Sequence, residues 1–569
     1  MGKKVKVEYD VGRKPEKKKR KSRTGVNTGK LGKMNVIAFA ILLVVEAIFY
    51  YFATPAINIH KPGFWTWVIV TLGLIYVCSL DFTAERIFIS DKKNESLGFT
   101  SMSKYILYLM AACVLVLLIG GIVSSKLIMA SKYANIIEIE EGDFTTDVPE
   151  SENISNIALM DTDSARIIGE RAIGSLSDVV SQYEVSTEYS TIDYNGVPMK
   201  VASLEYAGFF KYMNNKADGI PGYVLVDPVK NEAKYVKLTQ PIKYSPSAYF
   251  NHNLQRHVQL SYPTYDFNGY YFELDNDGNP YYICPVLSPN AGLFGAKDVK
   301  GIVICDPCTG DCEYMDVANV PNWVDRVYDG DLACKKYNWN GMLSGGFLNS
   351  IVGNKGCKVT TDDYGYKVME GDVWVYTGVT SVNGDQSNIG FVLMNSRTGE
   401  SKYFSIAGAE EHSAMSSAEG QVQNLGYVAS FPSLININGV PTYIMVLKDN
   451  AGLVKMYALV NVEKYNIVAT GATQKDALVS YRKLLAQNEI ISDDKTATED
   501  TPSKKITVKD IRYITMDGET YVYITDKDGA VYKQNFADNE ALIFIQENDI
   551  ITVYYIEAED GINQLISYE

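Results

Sequence analysis

The stretch Tyr223–Leu238, YVLVDPVKNEAKYVKL, indicates the fold of most of the chain. It is typical of a β-hairpin, because an apolar, β-rich run ends at a turn-forming Asp-Pro dipeptide and a second strand follows. Similar stretches occur at Ile302–Val317, IVICDPCTGDCEYMDV, and at Phe391–Ile406, FVLMNSRTGESKYFSI. A looser copy covers Tyr443–Val460. The sequence therefore predicts a β unit that is repeated four times.

Alignment on the turn brings the same residue types together in the first three copies. An Asp or Asn opens the turn, an acidic residue closes it and a Tyr follows; the positions are Asp227, Asp306 and Asn395, then Glu232, Asp311 and Glu400, then Tyr235, Tyr314 and Tyr403. Each hairpin is preceded by a turn dipeptide that tolerates positive φ; the four are Asn195-Gly196, Asp277-Gly278, Asn383-Gly384 and Asn438-Gly439. Their spacings of 82, 106 and 55 residues exclude a regular solenoid or a propeller of short blades. We expect diverged α+β modules that share sheets.

Composition and charge narrow the class of protein. A chain of 569 residues has room for about three or four domains. Its 41 tyrosines favour half-buried sheet surfaces and hence a β-rich α+β protein. The net charge of −15 divides into +10 for residues 1–34 and −25 for the remainder. Because the large remainder is acidic, we expect no nucleic-acid partner.

Three apolar runs near the N-terminus predict a membrane anchor. They are Asn35–Thr54, Phe64–Leu80 and Tyr105–Ser124, each close to the length that crosses a bilayer. Lys and Arg are concentrated before the first run and between the second and third, which predicts a cytoplasmic N-terminus. Three crossings would place the large C-terminal part outside the cytoplasm. If Phe64–Leu80 does not span, that part is cytoplasmic.

The domain organisation follows from these features. We expect a basic cytoplasmic tail (1–34), three transmembrane helices (35–124), a stalk (125–160) in which Lys126–Ile139 continues the third helix, a first α+β module (161–275), further hairpin modules with a closing helix (276–490), a linker (491–504) and a small β-barrel of SH3 or OB type (505–569). The order of helix, hairpin, loop and hairpin in the first module resembles a PepSY or cystatin-like domain.

Glu46 is the one acidic residue in the first apolar run. An intramembrane carboxylate is a candidate proton or ion site and would make the protein a transport component. The alternative is a carboxyl group that is hydrogen-bonded to the other two helices.

Six cysteines lie beyond the apolar runs. Cys305 and Cys312 flank the turn of the second hairpin and are candidates for a disulfide in an oxidising exterior. The same two residues with Cys308 and either Cys334 or Cys357 could bind zinc. Free core cysteines are the third alternative, because small apolar residues occupy the equivalent positions in the first hairpin. His252 and His257 are five residues apart and do not share a helical face as metal ligands. We assign no metal ligand and no cofactor.

The remaining motifs are weak evidence for a catalytic or binding site. His412 lies in EEHSAMSSAEG beside Ser413, Ser416 and Ser417, but no nucleophile-elbow pattern surrounds it. No phosphate-binding loop or dinucleotide fingerprint is present in the sequence. In VPNWVDRVY, the side chains of Trp323, Asp325 and Arg326 could form a recognition edge or a buried Trp under an Asp–Arg contact. We therefore assign no catalytic residue.

The segments IPGYVLVD, VPNWVDRVY, SAMSSAEGQVQ and PTYIMVLKDNAGLVKMYALVN resemble a family of membrane proteins from Gram-positive anaerobic bacteria over most of residues 160–475. The resemblance implies a bacterial membrane and a large attached domain, and it carries no activity. We expect a non-enzymatic envelope protein whose extracytoplasmic β domains bind a protein, a peptide or a cell-wall component. The alternatives are an envelope hydrolase, a zinc-dependent enzyme and a transport component.

Overall fold

A computed structural model describes residues 28–79, 101–151, 154, 157–174, 176–382, 387–492, 502–516, 519–536, 539–556 and 561–568. The chain forms two compact units. One contains the segment up to Ala53 together with Trp65–Leu115, and the other contains Thr54–Phe64 together with Val116–Glu569. Most of the predicted basic tail, most of the loop before the third apolar run and most of the predicted linker lie outside the described residues.

The apolar runs are helical: α1 (Thr28–Ala53), α2 (Pro62–Ser79) and α3 (Ser101–Val123). Pro62–Ser79 and Lys104–Val123 are long and apolar enough to cross a membrane, and α1 contains a shorter apolar stretch, Ile37–Ala53. The Glu46 carboxylate accepts hydrogen bonds from two α2 side chains, the Trp67 indole at 3.0 Å and the Thr71 hydroxyl at 2.9 Å. These two donors satisfy both oxygens of the carboxylate.

The segment after α3 differs from the expectation. Lys126–Ile139 does not continue the third helix, because α4 (Lys126–Ala134) begins after a break in which Ser125 has extended backbone angles. Short elements follow, namely β1 (Glu140–Glu141), α5 (Phe144–Asp147), α6 (Thr162–Gly174) and α7 (Ser177–Val180). Helix α6 is the helix expected at the start of the first module, and the Asp161 side chain accepts from the Ser164 N–H and caps its first turn.

Four sheets then follow one another along the chain, each built on five antiparallel strands of one repeat, and the third gains β1 as a sixth, parallel strand. The first contains β2 (Tyr183–Val185), β3 (Ser190–Tyr194), β4 (Val197–Tyr206), β5 (Ile220–Asp227) and β6 (Glu232–Ile242), with α8 (Phe209–Asn215) between β4 and β5. Helix α9 (Leu254–Ser261) leads to the second, with β7 (Asp266–Phe267), β8 (Tyr271–Leu274), β9 (Pro280–Pro289), β10 (Lys297–Cys305) and β11 (Cys312–Asp316).

Helix α10 (Gly330–Leu343) and a π-helical turn (Asn349–Gly353) precede the third sheet, which contains β12 (Lys358–Thr360), β13 (Gly365–Met369), β14 (Asp372–Ser381), β16 (Gly390–Asn395) and β17 (Ser401–Phe404). Strand β1 pairs with β17 at its edge, and β15 (Ser387–Asn388) pairs separately with β18 (Gly408–Ala409). After α11 (Glu411–Gln421), the fourth sheet contains β19 (Val428–Ala429), β20 (Ser433–Ile437), β21 (Val440–Lys448), β22 (Val454–Asn461) and β23 (Val468–Gly471).

All four sheets have the same connectivity. In each sheet one long strand (β4, β9, β14 or β21) pairs with three others. Its partners are the preceding strand, which a tight turn connects to it, the next long strand, and a short strand from the start of the repeat. The first and fourth repeats use the predicted Asn-Gly turns, whose residues all have positive φ. In the third repeat Glu370-Gly371 forms this turn, with φ of 55° and 80°. The predicted Asn383-Gly384 turn lies outside the described residues.

Neighbouring repeats share hydrophobic cores and not sheets, which corrects the expectation of shared sheets. One core contains residues of the first and second sheets, such as Leu204 and Val303, and another joins the third and fourth, for example through Phe391 and Tyr443. The expected module boundary after residue 275 falls between β8 and β9, which pair as a hairpin of the second sheet. The second repeat begins earlier, at β7.

The C-terminal part contains a helix and a closed barrel. Helix α12 (Gln474–Gln487) is the predicted amphipathic helix, and its N-terminal Thr473 and Asp476 form a reciprocal capping box. The last residues form a closed five-stranded barrel, with β24 (Ser503–Met516), β25 (Glu519–Asp526), β26 (Val531–Asn535), β27 (Ile550–Ile556) and β28 (Ile562–Tyr568). Closure leaves this small sheet without a free edge.

Candidate functional site

The turns of the first three hairpins have the same geometry. In each, the side-chain oxygen of the first turn residue accepts from the N–H groups two and three residues later. The distances are 3.0 and 3.0 Å for Asp227, 2.7 and 3.3 Å for Asp306, and 2.9 and 2.9 Å for Asn395. This Asx-type turn explains why Asp or Asn occupies the position in every copy.

Cys305 and Cys312 are paired across the second hairpin, at the last position before its turn. The Asp306 N–H donates to the Asp311 carbonyl at 2.9 Å, so the adjacent Asp306–Asp311 pair is hydrogen-bonded. Because hydrogen-bonded and non-hydrogen-bonded pairs alternate, Cys305 and Cys312 form a non-hydrogen-bonded pair, in which opposing side chains approach most closely. All eight cysteines lie in the described residues, and all eight are thiols.

His257 completes the cluster from helix α9. Asn253 caps this helix by accepting the Arg256 N–H, and the His257 side chain reaches the second hairpin. Its Nε2 lies 2.7 Å from the Gly310 carbonyl oxygen, which can only accept, so Nε2 carries a proton. One side-chain donor atom each of His257, Cys305 and Cys312 lies within 4.8 Å of the other two. We call these three residues the thiol cluster.

Packing fixes the thiol cluster in place. Cys305 is fully buried, while Cys312 and His257 are half-buried. The Tyr244 ring lies 4.1 Å from the His257 ring, centroid to centroid. The carbonyl of Pro307, in the hairpin turn, accepts the backbone N–H groups of Lys243 and Tyr244 at 2.8 and 2.9 Å. The turn therefore cannot move away from the imidazole without breaking these bonds.

The two thiols have opposite electrostatic environments. A hydrogen bond from the Cys305 thiol lowers the pKa of Cys312 to about 6, and the neighbouring His257 ring also lowers it. The pKa of Cys305 is raised, first by that same hydrogen bond and then by burial. The contact with Cys312 raises the pKa of His257. Of the two thiols, Cys312 is therefore the one whose thiolate form is favoured. Its Sγ also lies 3.5 Å from the Gly310 carbonyl oxygen.

The other cysteines do not assemble the zinc site considered from the sequence. Cys308 donates to the Gln240 carbonyl at 3.2 Å, and Cys357 donates to the Met342 carbonyl at 3.5 Å. Cys334 belongs to a separate hydrophobic cluster around α10. Two thiols and one imidazole are suitable donors for a thiophilic metal, but they fall one protein ligand short of a closed structural zinc site.

Trp323, Asp325 and Arg326 lie where the first three repeats meet. Asp325 is 1% exposed and accepts the Asp193 N–H at 2.8 Å, so it cannot serve in an exposed recognition edge. The buried Glu273 carboxylate accepts the N–H groups of Asp325 and Arg326 at 2.8 and 2.9 Å. These contacts, and not an Asp–Arg pair, explain the local sequence.

The two larger side chains of this segment pack on aromatic rings. The Trp323 ring lies 5.1 Å from that of Tyr281, and the Arg326 guanidinium lies 4.9 and 4.6 Å from the rings of Tyr271 and Tyr366. The Glu273 carboxylate is the residue that sequence reasoning missed here. Its equivalents in the first and fourth repeats are Ile192 and Ile435, so an acidic residue at a position that is Ile in two other repeats was the available signal.

An open cleft of about 910 Å³ lies beside α11. Its lining combines backbone of the β15–β18 ribbon with hydroxyl, carboxylate and aromatic side chains: Ser387, Asn388, Ala407, Gly408, Ala409, Glu410, His412, Ser413, Ser416, Ser417, Glu463 and Tyr465. No Lys or Arg is among these residues. His412 Nε2 lies 3.2 Å from a carboxylate oxygen of Asp363, and Ser417 donates to the Ser413 carbonyl. The cleft is thus polar and acidic.

Comparison of the chain with models of known protein families and with curated proteins finds no match. The residues themselves are therefore the basis of the functional argument. Sequence reasoning found Cys305 and Cys312 but not His257 as their neighbour, because α9 and the second hairpin turn are about fifty residues apart in the chain.

Proposed function

We propose that this chain is a multi-pass protein of the bacterial cytoplasmic membrane, with three spans and a cytoplasmic N-terminus, whose extracytoplasmic β-rich body binds an envelope partner and performs no catalysis on it. The acidic cleft beside α11 is the proposed binding site. Its size and its lining of hydroxyls, carboxylates and one exposed Tyr carry the proposal, since such surfaces hold polar ligands by several hydrogen bonds.

Contacts inside the second unit support the topology. The loop between α1 and α2 is bound to the β-rich body: the Ile57 N–H donates to the Pro263 carbonyl at 2.7 Å, and Lys61 pairs with Asp266 at 2.6 Å. The loop and the body must therefore lie on one side of a membrane. Crossings by all three helices satisfy this condition, and so do crossings by α2 and α3 alone, which would keep the body on the side of the N-terminus. If α2 did not cross, α1 and α3 would place the loop and the body on opposite sides.

The charge of the cleft indicates the chemistry of the partner. Glu410 and Glu463 line it, Asp363 lies beside His412, and Tyr465 is 54% exposed. A partner that presents ammonium and hydroxyl groups would complement this surface. Cell-wall peptides and glycans carry such groups, so a cell-wall peptide or glycan strand is the partner that we propose.

Two measurements on the intact protein test this function. Protease treatment of wall-stripped cells should remove a C-terminal tag while a cytoplasmic control protein survives; protection of the tag would contradict the topology. Purified protein in nanodiscs should sediment with cell-wall sacculi, and exchanging both Glu410 and Glu463 for Gln should weaken binding about tenfold. Exchange of the exposed Glu232 for Gln is the matched control. Equal binding by all three proteins would reject the cleft.

A hydrolase is the second candidate, because His412, which lines the cleft, lies 3.2 Å from the Asp363 carboxylate. Ser416 follows His412 by four residues in α11, so both side chains lie on the same face of the helix and in the same cleft. Hydrolysis of cell-wall peptide that disappears in both His412→Ala and Ser416→Ala, but not in Ser417→Ala, would favour this candidate over binding alone.

A further inference from the structure

We propose that the thiol cluster is a thiol–disulfide exchange site, in which Cys312 attacks a low-molecular-weight organic disulfide, Cys305 resolves the mixed disulfide and His257 transfers the protons. This site is on a different repeat from the acidic cleft, and the inference does not rest on the proposed binding function. It goes beyond the candidate disulfide, because it assigns the two sulfurs different roles and adds a catalytic residue.

The backbone allows both oxidation states. Cys305 and Cys312 face each other at a non-hydrogen-bonded position. The Cα atoms of such a pair are about 4.5 Å apart, which is within the range that a disulfide requires. The hairpin therefore has no need to change register on oxidation, and the two states can interconvert within one fold.

The burial of the two sulfurs assigns the order of attack. Cys312 is half-buried and next to the His257 ring, whereas Cys305 is fully buried behind it. An incoming disulfide therefore meets Cys312 first. The Cys305 thiol and the neighbouring His257 ring both stabilise the Cys312 thiolate, which agrees with the lowered pKa of Cys312. Tyr244 and the hairpin turn cover the rest of the cluster, which favours a small disulfide over a protein.

The reaction balances within the cluster and its substrate. The Cys312 thiolate attacks one sulfur of R–S–S–R, forming a Cys312–S–S–R bond while the other RS⁻ leaves and takes the second proton of the His257 imidazolium, since the Nε2 proton is donated to the Gly310 carbonyl. The neutral imidazole then removes the proton of Cys305, whose thiolate attacks the Cys312 sulfur. The second RS⁻ leaves, and His257 donates to it the proton that came from Cys305. One disulfide is reduced to two thiols, and the Cys305–Cys312 pair is oxidised.

The first test is reversibility of the protein disulfide. The purified full-length Cys308→Ser protein is equilibrated with graded mixtures of reduced and oxidised dithiothreitol, quenched with maleimide and digested with trypsin. We expect the peptide Gly301–Arg326, which then contains only Cys305 and Cys312, to lose and regain two hydrogens reversibly. A pair that stays reduced throughout, that cannot be reduced in the folded protein, or that copurifies with stoichiometric zinc would overturn the proposal.

The second test isolates His257. Reaction with the chromogenic disulfide 5,5′-dithiobis(2-nitrobenzoate) is followed from pH 5 to 9, with Cys312→Ala as the background. His257→Gln should slow the reaction about tenfold near pH 7 and move the midpoint of the pH profile upward, because the thiolate loses its cationic neighbour. The two proteins should converge near pH 9. An unchanged pH midpoint in His257→Gln would reject the assigned role, and a uniform loss at all pH values would also reject it.

Discussion

The first and second repeats have the same five-stranded sheet, but at three buried or half-buried positions the second carries thiols or a carboxylate where the first has apolar side chains. Where the first hairpin pairs Val226 with Ala233, the second pairs Cys305 with Cys312. Where the first sheet has Ile192, the second has Glu273. The turn that closes each hairpin keeps the same Asx geometry. The comparison shows that the same backbone forms with or without these polar groups. In the second repeat the two thiols supply the reactive sulfurs, and Glu273 supplies the hydrogen bonds to the segment that joins the repeats.

The largest effect is expected from converting the second hairpin into the first. The double variant Cys305→Val, Cys312→Ala should lower the rate of exchange with a small disulfide by at least about 100-fold, because both reacting sulfurs are gone. Its unfolding free energy should change by less than about 1.5 kcal/mol, since the first repeat already packs these residue types. Exchange kinetics and denaturant unfolding of the same preparation measure the two effects.

The reverse exchange is the matched control. Val226→Cys with Ala233→Cys, placed in that double variant, should form a disulfide because the two positions are also paired. It should react about tenfold more slowly than the natural pair. Helix α6, which packs on β5 and β6, contains no His that could stabilise a thiolate. Equal reactivity of the transplanted and natural pairs would show that the hairpin alone, without the imidazole, determines the chemistry.

The junction of the repeats gives the next largest effect. Glu273→Ala should destabilise the protein by about 3–5 kcal/mol, because the N–H groups of Asp325 and Arg326 and the Arg326 charge lose a buried partner. Denaturant unfolding of the purified protein measures it. The equivalent truncation in the first repeat, Ile192→Ala, leaves a cavity without unpaired polar groups and should cost about 2–5 kcal/mol. Only the Glu273 variant should weaken the contacts between repeats. The amide hydrogens of Asp325 and Arg326 should therefore exchange faster in that variant than in Ile192→Ala.

The sequence predicted the repeat because local rules determine it. Asp-Pro turns, Asx geometry and Asn-Gly dipeptides each leave a signal within a few residues. The partners of those elements were not predictable, since α9 meets the second hairpin and Glu273 meets Asp325 through packing between distant segments. For the same reason the sequence left open whether Asp325 belongs to an exposed recognition edge or to a buried Asp–Arg contact. Its buried state depends on Asp193 and Glu273, which lie in two other parts of the chain.

A smaller effect is expected from pH. Burial and the Glu273 charge raise the pKa of Asp325 well above its usual range, so in the folded protein this carboxyl group binds a proton that the unfolded chain releases near pH 4. The folded state is therefore favoured at low pH, and stability should fall as the pH rises from about 4 toward the raised pKa, by up to about 1.4 kcal/mol per pH unit. Asp325→Asn, which is always neutral, should flatten this slope. A slope that is the same in both proteins would contradict the assignment.

The smallest effect is expected at the turns. Asp227→Ala and Asp306→Ala each remove an acceptor of two backbone N–H groups, so each should destabilise its hairpin by about 1 kcal/mol. The Asn substitutions, Asp227→Asn and Asp306→Asn, should be nearly neutral, because Asn395 already forms the same turn in the third repeat.

The two hairpins differ in one respect: the second turn also holds the Gly310 carbonyl against His257. Asp306→Ala should therefore slow disulfide exchange as well as lower stability, whereas Asp227→Ala should affect stability alone. Equal exchange rates in the two variants would mean that the thiol cluster is positioned by α9 and the strands without help from the turn.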